Sequence, residues 1–322
     1  MMASITDVPG VRVGHSSDFQ AITGCTVILF DNEATGAIDL RGGGTSTRQI
    51  DPLLLYHSYG KVHGIFLTGG SAYGLDAAGG VMRYLEEQGI GLDVGYGHIV
   101  PSVPTAVVFD LGIGNGKVRP NQSMAYSACL NASSSPTEEG SIGVGTGASI
   151  GKLLGFKQAT KGGIGSTSYN LGNGIVVGVL VVVNAFGDVV DPTSGEIIAG
   201  VRNSIDGKEF LGSVKLFKSG GTRKAEPFEN TTLAVVATNV KLSRSELVRV
   251  ARIGQTGITR VVSPAHTTAD GDLVFAISCG DFPADVNLVG IVASELISEA
   301  IIRAVSAAKG MGGVPSWKEI QK

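Results

Sequence analysis

Residues 175–183 read IVVGVLVVV, an unbroken apolar run that is mostly β-branched. β-branched side chains favour extended backbone, and a continuous rather than alternating apolar run marks a strand buried on both faces. Such a strand must be covered from two sides, so the chain has to build a layered core. Composition points the same way. Only 16 % of residues are charged, against roughly 25 % in average proteins. The 48 glycines are about twice the usual share. The shortage of charge is read as extensive burial, in a thick layered core together with subunit contacts. Length alone, at 322 residues, allows one large domain or two ordinary ones.

Several function classes are not supported. Net charge is −3, and Lys and Arg are scattered without a basic stripe, so nucleic-acid binding has no electrostatic basis. The opening MMASITDVPG has neither the basic nor the apolar region of a signal peptide, and a cytoplasmic location is expected. No apolar run approaches the roughly 18 residues of a membrane helix. Cys25, Cys129 and Cys279 are far apart, which indicates neither a disulfide framework nor a zinc site. His15, His57, His63, His98 and His266 lack compact ligand spacing. Gly151 and Lys152 do not complete a P-loop, because Thr146 stands at the first glycine position and Leu153 at the Ser/Thr position. Gly143, Gly145 and Gly147 do not complete a dinucleotide fingerprint. No metal and no cofactor are expected.

In the first half, β-like runs at 25–30, 37–40, 62–67 and 105–110 alternate with glycine clusters, and one helix is predicted over 72–88. The polar, glycine-bearing stretch 219–230 reads as an exposed loop. After it the pattern becomes regular: strand 232–238, helix 243–259 opened by a Ser243/Glu246 capping box, strand 273–278 and a long apolar helix 286–308. Mixed elements of this kind predict an α/β sandwich.

Five stretches carry a family resemblance: TDVPGVRVGH at 6–15, DLRGGGT at 39–45, LTGGSAYGLDA at 67–77, GTGASIGK at 145–152, and NTTLAVVATN at 230–239 with HTTADGD at 266–272. In this order, over nearly the whole chain, they resemble the DmpA-type L-aminopeptidase/D-esterase family, which is related to nylon-oligomer endo-hydrolases. The resemblance implies a four-layer αββα sandwich of the ornithine-acetyltransferase-like, Ntn-hydrolase-like kind. It also implies one domain over 1–322, self-cleavage into 1–230 and 231–322, and a homotetramer of cleaved protomers.

The matching cut falls between Asn230 and Thr231. In this family the residue after the cut is the nucleophile, so Thr231 is expected to attack the Asn230 carbonyl, and the freed α-amino group is expected to serve as its base. An α-amino pKa of about 7.7–8.0 leaves such a group partly neutral near pH 7. Taken locally, Asn-Thr-Thr is also ordinary turn-then-strand sequence. The resemblance further implies that Thr268 and Asp270 assist the nucleophile. A separation of two puts both on one face if the segment is extended. Asp-Gly-Asp reads equally well as a turn, with Asp272 merely part of it. By the same resemblance Asn184 stabilises an oxyanion, Lys152 lies near the nucleophile and Tyr73 binds substrate. The bland alternatives are a turn former, a surface charge and a core tyrosine.

The expected activity is removal of N-terminal L-, D- or β-aminoacyl residues from short peptides, amides or esters. An acyltransferase of the ornithine-acetyltransferase type and an amide-oligomer endo-hydrolase are the alternatives. The expected partners are a small peptide or amide substrate and further copies of the chain, with no nucleic acid and no membrane.

Overall fold

The computed structural model describes residues 3–220 and 230–321. Its frame is assembled from β1 (Val11–Asp18), β2 (Thr23–Leu40), β3 (Lys61–Thr68), β4 (Thr105–Val107), β5 (Gly163–Gly172), β6 (Ile175–Asn184), β7 (Thr231–Val240) and β8 (Leu273–Phe282). Four helices accompany them: α1 (Ala78–Glu87), α2 (Gln122–Leu130), α3 (Arg244–Val261) and α4 (Val286–Ala307). The strands form one mixed sheet in the order β5-β6-β7-β8-β2-β3-β4, closed by the two-residue strand Thr47–Arg48, with β1 also on β2. The β7/β8 and β3/β4 pairs are parallel.

β2 joins the two halves of this sheet. Along one edge it pairs with β1 over 23–30 and then with β8 over 35–40. Its other edge meets β3, with a register shift between Leu29 and Ala34. A bulge of this kind bends and twists the strand, so the two halves face each other. Leu180, Val182, Leu233, Val235, Phe275 and Ile277 from one half meet Val11, Ile28, Phe30, Ile65 and Leu67 from the other. On the alternate positions, Val179, Val181, Val183, Ala234, Val236 and Ala276 pack under α3 and α4. Cys25, Val27, Leu29 and Phe66 pack against α1 and α2 on the far side. Side-chain period 2 thus gives each central strand two buried faces, and the layers run α, β, β, α. Phe275 is fully buried, so Phe275→Ala should cost about 3–5 kcal/mol.

The outer helices are fixed by local sequence. Ser243 and Glu246 form the expected capping box: Glu246 Oε2 accepts the Ser243 N–H at 2.8 Å, and Ser243 Oγ accepts the Glu246 N–H at 3.4 Å. A Cβ at Gly257 would lie 2.2 Å from the Ser294 carbonyl oxygen, so only glycine lets α3 approach α4 this closely. Ser298 Oγ donates to the Gly257 carbonyl across the same contact at 2.8 Å.

Some boundaries differ from expectation. The runs at 25–30 and 37–40 are one strand, β2, and the run at 105–110 keeps strand geometry only over Thr105–Val107. The helix expected from residue 72 begins as a 3-10 turn, Ser71–Ala77, before α1. Within the expected loop at 219–230, residues 221–229 lie outside the described residues, and Asn230 is buried. Among the described residues no helix is long and apolar enough to cross a membrane.

Candidate active site

Three strand ends meet at one end of the sheet. β7 opens at Thr231, and the antiparallel register sets Asn184, the last residue of β6, opposite it. On the other side Asn230 bridges Asp270 in parallel register, just before β8 begins. The β-ladder therefore sets Asn184 level with Thr231 and Asp270 level with Asn230, on the two sides of the 230–231 bond, and Asn184, Thr231 and Asp270 have relative exposures of 0 %, 5 % and 1 %.

The hydroxyl of Thr231 donates to the carbonyl oxygen of Asn230 at 2.5 Å, and the same oxygen accepts the Gly271 N–H at 2.8 Å. The carbonyl of the 230–231 peptide bond is thus polarised by a backbone donor with the threonine oxygen beside it. A Cβ at Gly271 would lie 2.8 Å from Thr231 Oγ1, so glycine gives the hydroxyl its room.

The turn at 267–270 holds the carboxylates. Asp270 Oδ2 accepts the Thr267 N–H at 2.9 Å and hydroxyl at 2.6 Å, while Oδ1 accepts the Phe186 N–H at 3.3 Å. Burial first, and then the neighbouring Asp272 charge, push the Asp270 carboxyl up to about 6 against these hydrogen bonds. Asp272 Oδ1 accepts the Thr232 N–H at 2.6 Å, and Oδ2 accepts the N–H and Nδ1 of His266 at 3.0 and 2.9 Å. The glycines at 42–44 clasp this turn from behind, with Gly42 N donating to the Asp272 carbonyl and Gly44 N to the Asp270 carbonyl. A Cβ at Gly42 would fall 2.3 Å from the Asp270 carbonyl oxygen, which explains the glycine run.

Thr268 does not share a face with Asp270. It lies in the turn rather than in extended backbone, and its side chain is exposed. The two residues of this turn that meet the segment around Thr231 are Asp270, whose backbone bridges Asn230, and Asp272, whose carboxylate holds the Thr232 N–H, so the shared face expected from sequence for Thr268 and Asp270 is not formed. Asp272 and its partner His266 went unassigned there because Asp-Gly-Asp is also common turn sequence. The spacing itself was the signal.

Asn184 and Lys152 form one unit. Asn184 Oδ1 accepts the Ser149 N–H at 3.0 Å and Lys152 Nζ at 3.0 Å, and its Nδ2 donates to the Phe109 carbonyl at 3.3 Å. Lys152 Nζ also donates to the Ser149 and Asn184 carbonyls at 2.7 and 2.9 Å. With 5 % exposure, Lys152 is no surface charge. It enters through Gly151, whose φ of 71° suits glycine and whose missing Cβ makes room for the backbone at Gly200. Asn184 does not open a hairpin either, since the next strand, Asp188–Val190, belongs to a separate small sheet.

A second buried pair adjoins this unit and was not seen in the sequence. Lys161 is fully buried and donates to the Ala148 carbonyl at 2.5 Å. Burial drives its ammonium down to about 7, with Asp110 opposing the shift. Asp110, itself raised by burial, accepts the Thr23 hydroxyl at 2.6 Å and the Gly70 N–H at 2.7 Å. Ala148 precedes Ser149, and Phe109 precedes Asp110, so both neighbours of the Asn184 amide are anchored by buried ionisable residues. Tyr73 is 62 % exposed rather than in the core, and its ring lies under the Arg119 guanidinium at 3.7 Å.

A hydroxyl and a polarised carbonyl, flanked by a buried amide and two carboxylates, are the equipment of a peptide- or amide-bond hydrolase. Known proteins agree with that class. Residues 3–317 match the profile of peptidase family S58, and the chain belongs to that family. It is 37 % identical to an uncharacterized aminopeptidase of Mycobacterium bovis, covering 99 % of this chain and 98 % of that one. It is 29 % identical to a 6-aminohexanoate-oligomer endohydrolase of Paenarthrobacter ureafaciens, over 92 % of this chain and 84 % of that one. The fold is shared with a Burkholderia sp. β-aminopeptidase at a TM-score of 0.73 and 19 % identity, covering 100 % and 93 % of the two chains. It is shared too with the L-aminopeptidase D-Ala-esterase/amidase of Ochrobactrum anthropi, described as a variant of the Ntn hydrolase fold. That TM-score is 0.71 at 21 % identity, with 97 % and 88 % covered. The chain is an aminopeptidase- or amidase-type hydrolase with an Ntn-type four-layer sandwich.

Proposed function

We propose that this hydrolase is a self-processing aminopeptidase whose nucleophile is Thr231. The observation that carries the reading is the Asn230 carbonyl oxygen, which receives the Thr231 hydroxyl at 2.5 Å and the Gly271 N–H at 2.8 Å. In the first step Thr231 Oγ1 attacks the Asn230 carbonyl carbon, the C–N bond breaks, and an ester joins the two segments. Water then hydrolyses the ester, leaving a carboxylate on Asn230 and a free α-amino group on Thr231. That amine takes the hydroxyl proton when Thr231 attacks a substrate carbonyl and passes it to the leaving amine as the substrate C–N bond breaks; water then hydrolyses the acyl-enzyme ester, releasing the acid and restoring the Thr231 hydroxyl.

The supporting residues follow from their contacts. Asp272 holds the Thr232 N–H, so it steadies the strand that carries the nucleophile. Asp270, whose backbone bridges Asn230 and whose carboxyl is raised by burial to about 6, brings a carboxylate to the turn next to the 230–231 bond. Asn184, braced by Lys152, presents an amide opposite Thr231 for the oxyanion of the tetrahedral intermediate. Short peptides, amino-acid amides and esters are the substrate class. The aminopeptidase reading is preferred to oligoamide endo-hydrolysis because relatives with aminopeptidase names are more similar and match over nearly the full chain.

The test is to incubate purified protein with amino-acid p-nitroanilides while following its intact mass. Release of p-nitroaniline by protein split into fragments of 230 and 322 − 230 = 92 residues is expected. Activity from a chain that never splits would sink the proposal.

A further inference from the structure

Beside the turn that carries Asp270 lies a cavity of ≈ 460 Å³, walled by Phe186, Val214, Phe217, Pro264, Thr267 and Ala269. Val214 and Phe217 are three residues apart on the short helix Ser213–Lys218 and so share a face. They are 37 % and 59 % exposed, large apolar side chains that line this cavity together with the turn residues Thr267–Ala269. The polar groups of the lining are the Lys218 ammonium and the hydroxyls of Thr267 and Thr268.

Three contacts tie this wall to the chemistry. The Phe186 N–H and the Thr267 hydroxyl both donate to Asp270, at 3.3 and 2.6 Å. Asn230 Nδ2 reaches the Ala269 carbonyl oxygen at 3.5 Å. The last contact gives a direction. Asn230 is the acyl-side residue of the chain's own 230–231 bond, and its side chain turns toward Ala269. After cleavage, the N-terminal residue of a substrate must bring its carbonyl to the place that the Asn230 carbonyl held. Its side chain then extends toward the same wall.

We propose that this cavity is the acyl-side subsite and that it selects substrates whose N-terminal residue carries a bulky, uncharged apolar side chain. The inference rests on Thr231 as the nucleophile. Apolar walls gain most from excluding water around an apolar side chain. A hydrophobic pocket discriminates by about 10–200-fold per methylene, so the preference is measurable.

The experiment compares kcat/KM for glycyl, alanyl, leucyl and phenylalanyl p-nitroanilides, using purified protein whose fragmentation has been checked by intact mass. Leucyl and phenylalanyl substrates should exceed the alanyl substrate by tenfold or more. Val214→Trp, which fills the cavity, should lower the leucyl-to-alanyl ratio at least tenfold. Phe217→Ala, which widens it, should shift preference from leucyl toward phenylalanyl. Circular dichroism confirms that each variant is folded. A cut and active enzyme with a flat ratio, or a folded Val214→Trp that keeps the wild-type ratio, overturns the subsite alone. An uncut, inactive wild type overturns the nucleophile assignment and the subsite with it.

Discussion

The N–H of Gly271 donates to the carbonyl oxygen of Asn230 at 2.8 Å, on the very peptide group that self-cleavage would have to attack. Gly271 also stands so close to Thr231 that a Cβ would lie 2.8 Å from the hydroxyl oxygen. Gly271→Ala keeps the N–H but crowds the nucleophile. A misplacement on the order of 1 Å can cost about 10²-fold in rate. Fragment appearance followed by intact mass should therefore slow by roughly that factor. Processing at the wild-type rate would show that the hydroxyl does not use this space.

Asn184 and Lys152 should fail together. Asn184→Ala removes the amide and leaves the Ser149 N–H and Lys152 Nζ short of an acceptor. The loss of one oxyanion donor costs about 10²–10³ in kcat; Lys152 Nζ keeps the Ser149 and Asn184 carbonyls, so the stability cost is about 1–3 kcal/mol for the Ser149 N–H alone. Lys152→Met leaves the amide in place without its brace, so kcat should fall while KM changes little. The double variant should be scarcely worse than Asn184→Ala, because the two act as one unit. Fully additive losses in kcat would separate their roles.

Asp270 gives a pH-dependent signature. Its folded-state carboxyl is raised from the ordinary 3.8 to about 6. Its contribution to stability is fully present below pH 3.8 and is lost as pH rises through about 6. Asp270→Asn abolishes this titration. The melting temperature of the variant relative to wild type should therefore climb between about pH 4 and pH 6 and level off above that, whatever its offset at pH 4. If ionised Asp270 assists Thr231, wild-type kcat should also fall below about pH 6, and the variant should be slow at every pH. A difference in melting temperature that is constant across this range would remove the assignment of the raised group to Asp270.

Much of this architecture was legible in the sequence, and the omissions have physical reasons. β6 announced itself because a strand buried on both faces needs no alternation. α3 did so because Ser243 and Glu246 sit at capping-box spacing. α2 was missed because its buried positions are the small residues Ala125, Ala128 and Cys129, which give little periodic contrast. β2 read as two strands because its bend carries the polar residues between Leu29 and Ala34. Among the residues expected from the resemblance, the structure sets Asn184 opposite Thr231 and Asp270 opposite Asn230. Thr268 is expected only from the resemblance, and its spacing of two from Asp270 puts both on one face only in extended chain, a period that the turn at 267–270 breaks. The burial of Lys161 and Asp110 depends on contacts between segments distant in sequence, which no local pattern encodes.

Assembly is the next expectation. Tyr96 is 99 % and Tyr56 82 % exposed, with Leu55 and Val94 exposed beside them in sequence. We propose that a chain with 16 % charged residues and such side chains in the open covers them with further copies of itself. Light scattering at micromolar concentration should give four times the 33.0 kDa chain mass. Tyr96→Asp, a charge at the most exposed of these side chains, should shift the distribution toward smaller species if its loop lies in a subunit contact. A wild-type monomer at that concentration would end the expectation.

The cut itself is the final and most exacting test. Thr231 can supply both nucleophile and amine only after Asn230 leaves its nitrogen, so the uncut chain should be nearly inactive. Thr231→Ala removes the attacking oxygen but leaves the backbone of β7 and its pairing with β6 and β8 unchanged, so the variant should fold. It should remain one chain of 322 residues and release no p-nitroaniline. Thr231→Ser retains a hydroxyl and should still split after Asn230, at a different rate because serine lacks the β-methyl that restricts the threonine rotamer. Thr232→Ala is the control for register: its side chain lies one residue further on, its Oγ1 has no hydrogen-bond partner among the described residues, and its N–H on Asp272 is kept. That variant should split normally. After cleavage, burial of β7 between β6 and β8 and of α4 against the same strands should keep the 92-residue fragment bound, so the two fragments should co-elute on gel filtration and part only under denaturing conditions. A Thr231→Ala protein that still splits after Asn230, or a Thr232→Ala protein that does not, would move the nucleophile away from Thr231.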